Sequence, residues 1–447
     1  MINMKKRNIL LLAITMVLFF GACQKSEMMP DFKHSSSSDN NANSHAKKFT
    51  GKVAFDWINL QQSLSKSTPG FGPGTTGRAF AYSGLALYES VVPGMPSYQS
   101  YMEKTTGQVI AIDKKKDYYW PASANAAMAE IIRSLFAATS AQNKASIDAL
   151  ENANYSSYQG EAPNEQLELS ASYGRMVAKA VFEWSKSDGT LDPVPPFTMP
   201  IGPQYWVPTP PGFGPPVSSN WGGLRSFFPA VADLTQPGPP LAYSALPSSD
   251  FYKMVDYVYN VSQNLTPEDI LLVKTWADIP GNYNGQGHFT NVLTQLLTEK
   301  NADLEIAAYA YAKHGMAISD AAISVFKTKY KFLLVRPVSY IRTVMGKPTW
   351  NTVIPTPPHP EYSAAHATIS GASQRILESL FGTNYAFTDH THDALYGSHN
   401  YSSFQDYADQ SGWSRVLAGV HYKPSVDVGL VQGRKVGDLI NSIPLKK

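Results

Sequence analysis

Residues 78–91 read Arg78-Ala-Phe-Ala-Tyr-Ser-Gly-Leu-Ala-Leu-Tyr-Glu-Ser-Val91. Small and apolar side chains recur at helical spacing here, with no alternation of strand type and no proline. The same rhythm returns in residues 124–138, 165–186 and 303–325. Thr266, followed by Pro267 and then Glu268 and Asp269, is a helix start with an N-cap, a first-turn proline and acids at the positive end of the helix. No run of strands with hairpin turns and no strand–helix–strand rhythm is present, so the chain is expected to be all-α. One segment breaks the pattern: 14 of the 32 prolines fall between Pro193 and Pro240. A long irregular stretch inside a compact protein is usually a functional loop or a surface wrap. It divides an N-terminal helical half, 49–192, from a C-terminal half, 241–447.

With 447 residues, 43% hydrophobic and 16% charged, the chain can bury a large core. Its formal net charge is +2, which argues against nucleic acid as a partner and requires any cationic site to be local. Lys5, Lys6 and Arg7 precede an apolar run from Ile9 to Phe20, then Gly21, Ala22 and Cys23. This is the pattern of a signal peptide over residues 1–22. Cys23, the single cysteine, stands where a bacterial lipoprotein is acylated. Residues 23–48 read as a polar, lipidated tether. The expected localisation is therefore exported and lipid-anchored to the cell envelope, at the outer membrane, touching the membrane by the anchor alone. One cysteine also excludes an intrachain disulfide and cysteine-based catalysis.

Seven of the ten histidines lie between His314 and His421, and three short segments in that span concentrate cations and imidazoles. In the first, Lys329 and Arg336 are seven residues apart, about two turns if the helix continues, and Pro337 then turns the chain out of it. The second, Pro357-Pro-His359-Pro-Glu-Tyr-Ser-Ala364-Ala365-His366, is proline-rich and leads into small residues. It predicts a helix start whose free N–H groups, Ala364 and Ala365 among them, form an oxyanion seat, with His366 just inside. In the third, Ser414-Arg415 precedes His421; an unbroken helix would separate Arg415 and His421 by about 120°, so the helix is expected to end near Gly419. Asp427 is the acid expected to hold one nitrogen of His421. Singly, each cation reads as a surface charge and each histidine as ordinary packing. Together they suit a tetrahedral oxyanion, clamped by guanidinium groups beside one attacking or ligating histidine and one proton carrier. Asp389-His-Thr-His-Asp393 reads as a solvated loop, with a metal clip as the alternative; His288 reads as structural near the site, and Trp206 and Trp221 as anchors.

Lys329, Arg336-Pro337, then Ser363-Ala364-Ala365-His366, then Ser414-Arg415 and His421 form an ordered triple. It resembles the signature of the vanadium-dependent haloperoxidases and of the type 2 phosphatidic acid phosphatases and bacterial acid phosphatases. The likeness extends to residues 78–91, 205–211 and 221–222, to Trp276-Ala-Asp278 with Gly287-His-Phe289, and to Asp320-Ala321, most of residues 50–445. It implies the helical bundle of that superfamily, with vanadate as cofactor or phosphate as substrate or occupant. It implies His421 as axial vanadium ligand or phosphorylated nucleophile, His366 as general acid/base, and Lys329, Arg336 and Arg415 on the equatorial oxygens. His359 stands where bromo- and iodoperoxidases carry a second histidine. Ala364 and Ala365 depart from the family's Pro-Ser-Gly-His, removing a hydroxyl and a glycine. Three functions follow: oxidation of iodide or bromide with hydrogen peroxide, hydrolysis of a phosphate ester in a phosphatase, or oxyanion binding without turnover.

Overall fold

The computed structural model describes residues 45–278 and 283–447; the signal peptide, Cys23 and most of the tether lie outside them. The folded body begins slightly before residue 49, since Ala46–Lys48 already form a 3-10 turn with Ala46 buried. The architecture is all-α, as expected: α1 (Lys52–Ser67), α2 (Pro73–Val91), α3 (Trp120–Leu135), α4 (Asn164–Ser185), α5 (Gly285–Glu299), α6 (Leu304–Phe332), α7 (Ala365–Phe381), α8 (Phe404–Leu417) and α9 (Lys423–Asn441), with further helices between, among them Ala141–Tyr158. Strands β1 (Phe387–Asp389) and β2 (His399–Tyr401) form an antiparallel ribbon in register Phe387 to Tyr401.

Helix α2 contains the stretch quoted above, and its small residues have a packing reason. A Cβ on Gly84 would stand 2.6 Å from Tyr311 O of α6, and one on Gly315 would stand 2.7 Å from Phe80 O of α2. The two helices therefore cross at backbone contact, where an added methyl costs about 1–3 kcal/mol through overpacking. This crossing joins the two sequence halves, and one continuous apolar core runs from Ala46 to Leu445. Helix α7 is held against α9 in the same way: a Cβ on Gly433 would stand 1.9 Å from Thr368 O.

The proline-rich segment is a wrap. Trp206 is buried and its N–H donates to Leu333 O at 2.8 Å, Val335 N donates to Gln204 O at 2.9 Å, and Val217 N donates to Pro358 O at 3.0 Å. Asp320 of α6 accepts the N–H groups of Phe227 and Phe228, both at 2.8 Å. The wrap thus pins the two loops that carry Arg336 and His359. No helix among the described residues is long and apolar enough to cross a membrane.

Candidate active site

Lys329 lies in the last turn of α6, which ends at Phe332; Leu333 then takes a left-handed conformation, φ 53°. Lys329 and Arg336 are therefore not on one helix. The chain reverses between them, and Pro337 opens a new helix, Pro337–Thr343, with Arg336 as its N-cap. A proline at a first helical turn loses no hydrogen bond, so the residue expected to end a helix begins one. The other expectations of local geometry agree with the fold. His366 is the second residue of α7, whose N-cap, Ala364, offers no side-chain cap. Helix α8 ends at Leu417, and Gly419 at φ 75° turns the chain so that His421 returns toward Arg415.

Arg336 is the hub. It is fully buried, and its five N–H groups meet five acceptors. Nε donates to His359 O at 3.0 Å; Nη1 faces Val420 O at 2.7 Å and His421 Nε2 at 3.2 Å; Nη2 faces Pro357 O at 3.2 Å and His359 Nδ1 at 3.1 Å. A guanidinium can only donate, so His421 Nε2 accepts; His359 Nδ1 lies between the Arg336 donor and the Pro360 O acceptor, the latter at 3.2 Å, and can serve only one of them at a time. His421 Nδ1–H consequently donates to Glu361 Oε1 at 2.8 Å. Burial, then the charges of Arg336 and Lys329, hold the His421 pKa well below the usual imidazole value. The ring is neutral, with its proton on Nδ1 and its lone pair on Nε2. Burial, then Lys329 and Arg336, depress His359 in the same direction.

Lys329 is buried, and its ammonium donates to the carbonyls of Pro360 at 2.9 Å, Glu361 at 3.0 Å and Ser363 at 2.6 Å. It therefore shapes the loop ahead of α7 and adds charge. Burial lowers its pKa well below that of a free lysine, as does Arg336. Arg415 donates from Nε to Ser414 Oγ at 3.1 Å and from Nη2 to Trp276 O, and its charge depresses both His366 and His421. His366 is the more open of the two main histidines. Its Nε2 bonds Asp278 Oδ2 at 2.9 Å, and burial and then Arg415 lower its pKa despite that carboxylate. Burial would raise the Asp278 carboxyl, but hydrogen bonds from His288 and His366 carry it well below the usual range.

Asp427 is not the partner of His421. It sits one turn into α9, half exposed, paired with Lys423 at 2.5 Å. Its expected place is taken by Glu361, fully buried, which also accepts Tyr422 N–H at 2.9 Å and Ser425 Oγ–H at 2.7 Å. The run 389–393 is likewise split. His390 and Asp393 form an exposed pair, as a solvated loop would, whereas Asp389 is buried and accepts from His288 Nε2 at 2.7 Å, and His392 is buried beside it. Glu361 and Asp278 are the acids that hold His421 and His366, and neither has a signature in the sequence that assigns it there.

Three buried cations, Lys329, Arg336 and Arg415, stand around a neutral imidazole, with the carboxylates of Glu361 and, on the Arg415 side, Asp278 beside them. That donor set fits a tetrahedral oxyanion bonded through His421 Nε2, with α7's uncapped start as a further donor; the Ala364 N–H, expected to be free, instead donates to Ser425 O at 3.1 Å. Residues 309–443 match the family model for the second helical-bundle domain of vanadium chloroperoxidase. Residues 309–443 thus resemble a domain of the vanadium haloperoxidases, and the chain as a whole has the helical-bundle fold of those proteins. It is similar to the first bacterial vanadium-dependent iodoperoxidase of known crystal structure. The identity is 28%, over 88% of this chain and 96% of that one, with a TM-score of 0.80. It also shares its fold with a holo-type bacterial vanadium-dependent chloroperoxidase, at 17% identity over 85% of this chain and 94% of that one, TM-score 0.65. The apo-type chloroperoxidase gives 17%, 81% and 92%, TM-score 0.64. No curated protein matches the chain.

Proposed function

We propose that this chain is a vanadate-dependent haloperoxidase that oxidises iodide, or bromide, at the expense of hydrogen peroxide. The observation that carries the proposal is the state of His421: a neutral imidazole, its Nδ1–H given to Glu361, its Nε2 lone pair directed toward Arg336. Such a nitrogen suits a vanadium ligand. When bound, vanadate supplies a Lewis-acidic centre for activating peroxide.

The protein's own groups have separate tasks. Arg336 and Arg415 neutralise an anion held between them. Of Arg336's bonds, the 3.2 Å contacts to His421 Nε2 and Pro357 O are the longest and the first that an anion's oxygens would replace. His366 moves the proton. Its Nε2 is committed to Asp278, so the exchange runs through Nδ1, on a ring that is half-buried rather than sealed. His359, neutral and hydrogen-bonded to Arg336, orients the guanidinium. The iodoperoxidase similarity, reaching across most of both chains, supports iodide as the first halide to test.

The test is direct. Purified protein is incubated with orthovanadate and assayed with peroxide and iodide or bromide, and in parallel with a chromogenic phosphate ester. Vanadate-dependent halide oxidation that disappears in His421→Ala supports the proposal. Ester hydrolysis inhibited by vanadate identifies a phosphatase instead, and silence in both assays an oxyanion binder. We propose further that Cys23, outside the described residues, is acylated and anchors the exported protein; metabolic labelling with a fatty acid, lost in Cys23→Ser, checks this.

A further inference from the structure

Behind His366 lies a second cluster, of which the oxyanion site uses only Asp278, through its bond to His366. Asp278, His288 and His392 each offer one ligand atom, and these atoms all lie within 4.8 Å of one another. They come from separate places: Asp278 follows a short helix, His288 is in α5, and His392 precedes the helix Asp393–Tyr396. His288 and Asp278 have almost no exposed side-chain surface, and His392 is only 6% exposed.

We propose that this cluster binds a divalent cation of the Zn2+ class, which holds Asp278 in place beneath His366. Three independent features support it. The Asp278 Oδ1 to His288 Nδ1 separation is 3.3 Å, long for a charge-assisted hydrogen bond. Two ligands on a tetrahedral ion with bonds of about 2.0–2.2 Å stand roughly 3.3–3.5 Å apart, which matches. Second, the other nitrogen of His288 is hydrogen-bonded to Asp389 at 2.7 Å, and Asp389 is itself fixed by Thr391 N–H at 2.8 Å. A histidine that ligates through one nitrogen and donates from the other to a carboxylate is the usual outer arrangement of a zinc site. Third, His392 Nε2 is buried and has no hydrogen-bond partner. A buried polar atom left unpaired costs about 1–3 kcal/mol, and ligation would satisfy it.

Without a cation, His288 bridges two carboxylates and satisfies itself; that arrangement leaves His392 unexplained. Binding releases the Nδ1 proton of His288 to solvent and puts the ion in its place, with Asp278 Oδ1 and His392 Nε2 as the other protein ligands. Two nitrogens and one oxygen favour Zn2+ over Mg2+ or Ca2+, which prefer oxygen donors. Asp278 Oδ2 stays bonded to His366, so one carboxylate would join the ion to the proton carrier. The ion is thus a positioning element for Asp278, and its presence does not depend on vanadate.

The experiment uses the full chain, freed of metal by a chelator and titrated calorimetrically with Zn2+ in the absence of vanadate. Co2+ serves as the spectroscopic stand-in, and unfolding of the metal-free variants checks that they fold. One Zn2+ per chain is expected. Asp389→Asn should weaken binding by about 10–100-fold, the range for an outer carboxylate, and His392→Ala by more. His390→Ala, in the exposed pair with Asp393, should leave binding unchanged. Absence of Zn2+ uptake by the parent chain, uptake that survives His392→Ala, or loss on His390→Ala each overturns the proposal.

Discussion

Glu361→Gln separates charge from geometry at His421. In the parent, Oε1 accepts both His421 Nδ1–H and Tyr422 N–H, at 2.8 and 2.9 Å, while Oε2 accepts Ser425 Oγ–H at 2.7 Å. Glutamine preserves all three contacts, with its carbonyl in the first role and its amide donating to Ser425 Oγ. What is lost is one negative charge behind the imidazole. A hydrogen bond to a charged group contributes about 1.5–3 kcal/mol and a neutral one about 0.5–1.5, a difference of roughly 1–1.5. That corresponds to about a tenfold change in affinity, and outer partners of metal-bound histidines lie between about 10- and 100-fold. The same change leaves the pocket more positive, which favours any anion. Vanadate and phosphate separate these effects, because vanadate uses the His421 lone pair and phosphate needs only the cations. Vanadate affinity should therefore fall relative to phosphate by about tenfold or more. Calorimetric titration of both anions, with Asp427→Asn as a control expected to match the parent, measures the ratio. An unchanged ratio in Glu361→Gln, or a fall in Asp427→Asn instead, would show the wrong carboxylate has been assigned to His421.

Other consequences are equally specific. Lys329→Met removes the donor shared by three buried carbonyls and should lower unfolding stability by about 3–5 kcal/mol in a urea titration, independently of any anion. Ala364→Ser restores a hydroxyl at the N-cap of α7 and should tighten vanadate binding by about 10–100-fold, the equivalent of one hydrogen bond to a charged acceptor. Burial pushes the Asp320 carboxyl up to about 7, against the lowering effect of the Phe228 and Phe227 N–H groups. Its pKa is near 4 when unfolded, so the folded state prefers the protonated acid: the stabilisation is complete below about pH 4 and is lost as pH rises through about 7. The amount is about 4 kcal/mol. Asp320→Asn should flatten the stability profile between those pH values relative to the parent, as read by denaturant unfolding.

What the sequence shows and what it hides divide along a physical line. The helical rhythm of residues 78–91 and the order Lys329, Arg336, His366, Arg415, His421 are legible because periodicity and chain order are local properties. Gly419 as the break that returns His421 to Arg415 is legible for the same reason. The reversal at Leu333 is not: a leucine at φ 53° has no signature, and the conformation is imposed by packing against the proline-rich wrap, where Trp206 N–H captures Leu333 O. Asp427 was the natural partner for His421 by proximity in the chain. Glu361 arrives from 60 residues away and is selected by burial, since a carboxylate enclosed with cations must be hydrogen-bonded whereas Asp427 has water and Lys423. The one available hint was that Glu361 is a lone acid within a proline-rich lead to a helix. Asp278 stood in a recognised stretch, but its tie to His366 crosses 88 residues and three helices.

The replacement of the family's serine and glycine by Ala364 and Ala365 can now be weighed against the cations. Arg336 and Lys329 spend their N–H groups on the protein, on backbone carbonyls and two imidazoles. Their contribution to an oxyanion is thus mostly charge, three buried positive groups against the carboxylates of Glu361 and, on the Arg415 side, Asp278, in a medium that screens them far less than water does. A lost hydroxyl removes one hydrogen bond, about 1.5–3 kcal/mol. Removing one partner of a buried charge set typically changes stability by about 3–5 kcal/mol, which sets the larger scale. The alanines therefore tune affinity without removing the reason for it. If Arg415→Met weakens vanadate no more than Ala364→Ser strengthens it, the site is held by hydrogen bonds rather than by charge, and this ordering is wrong.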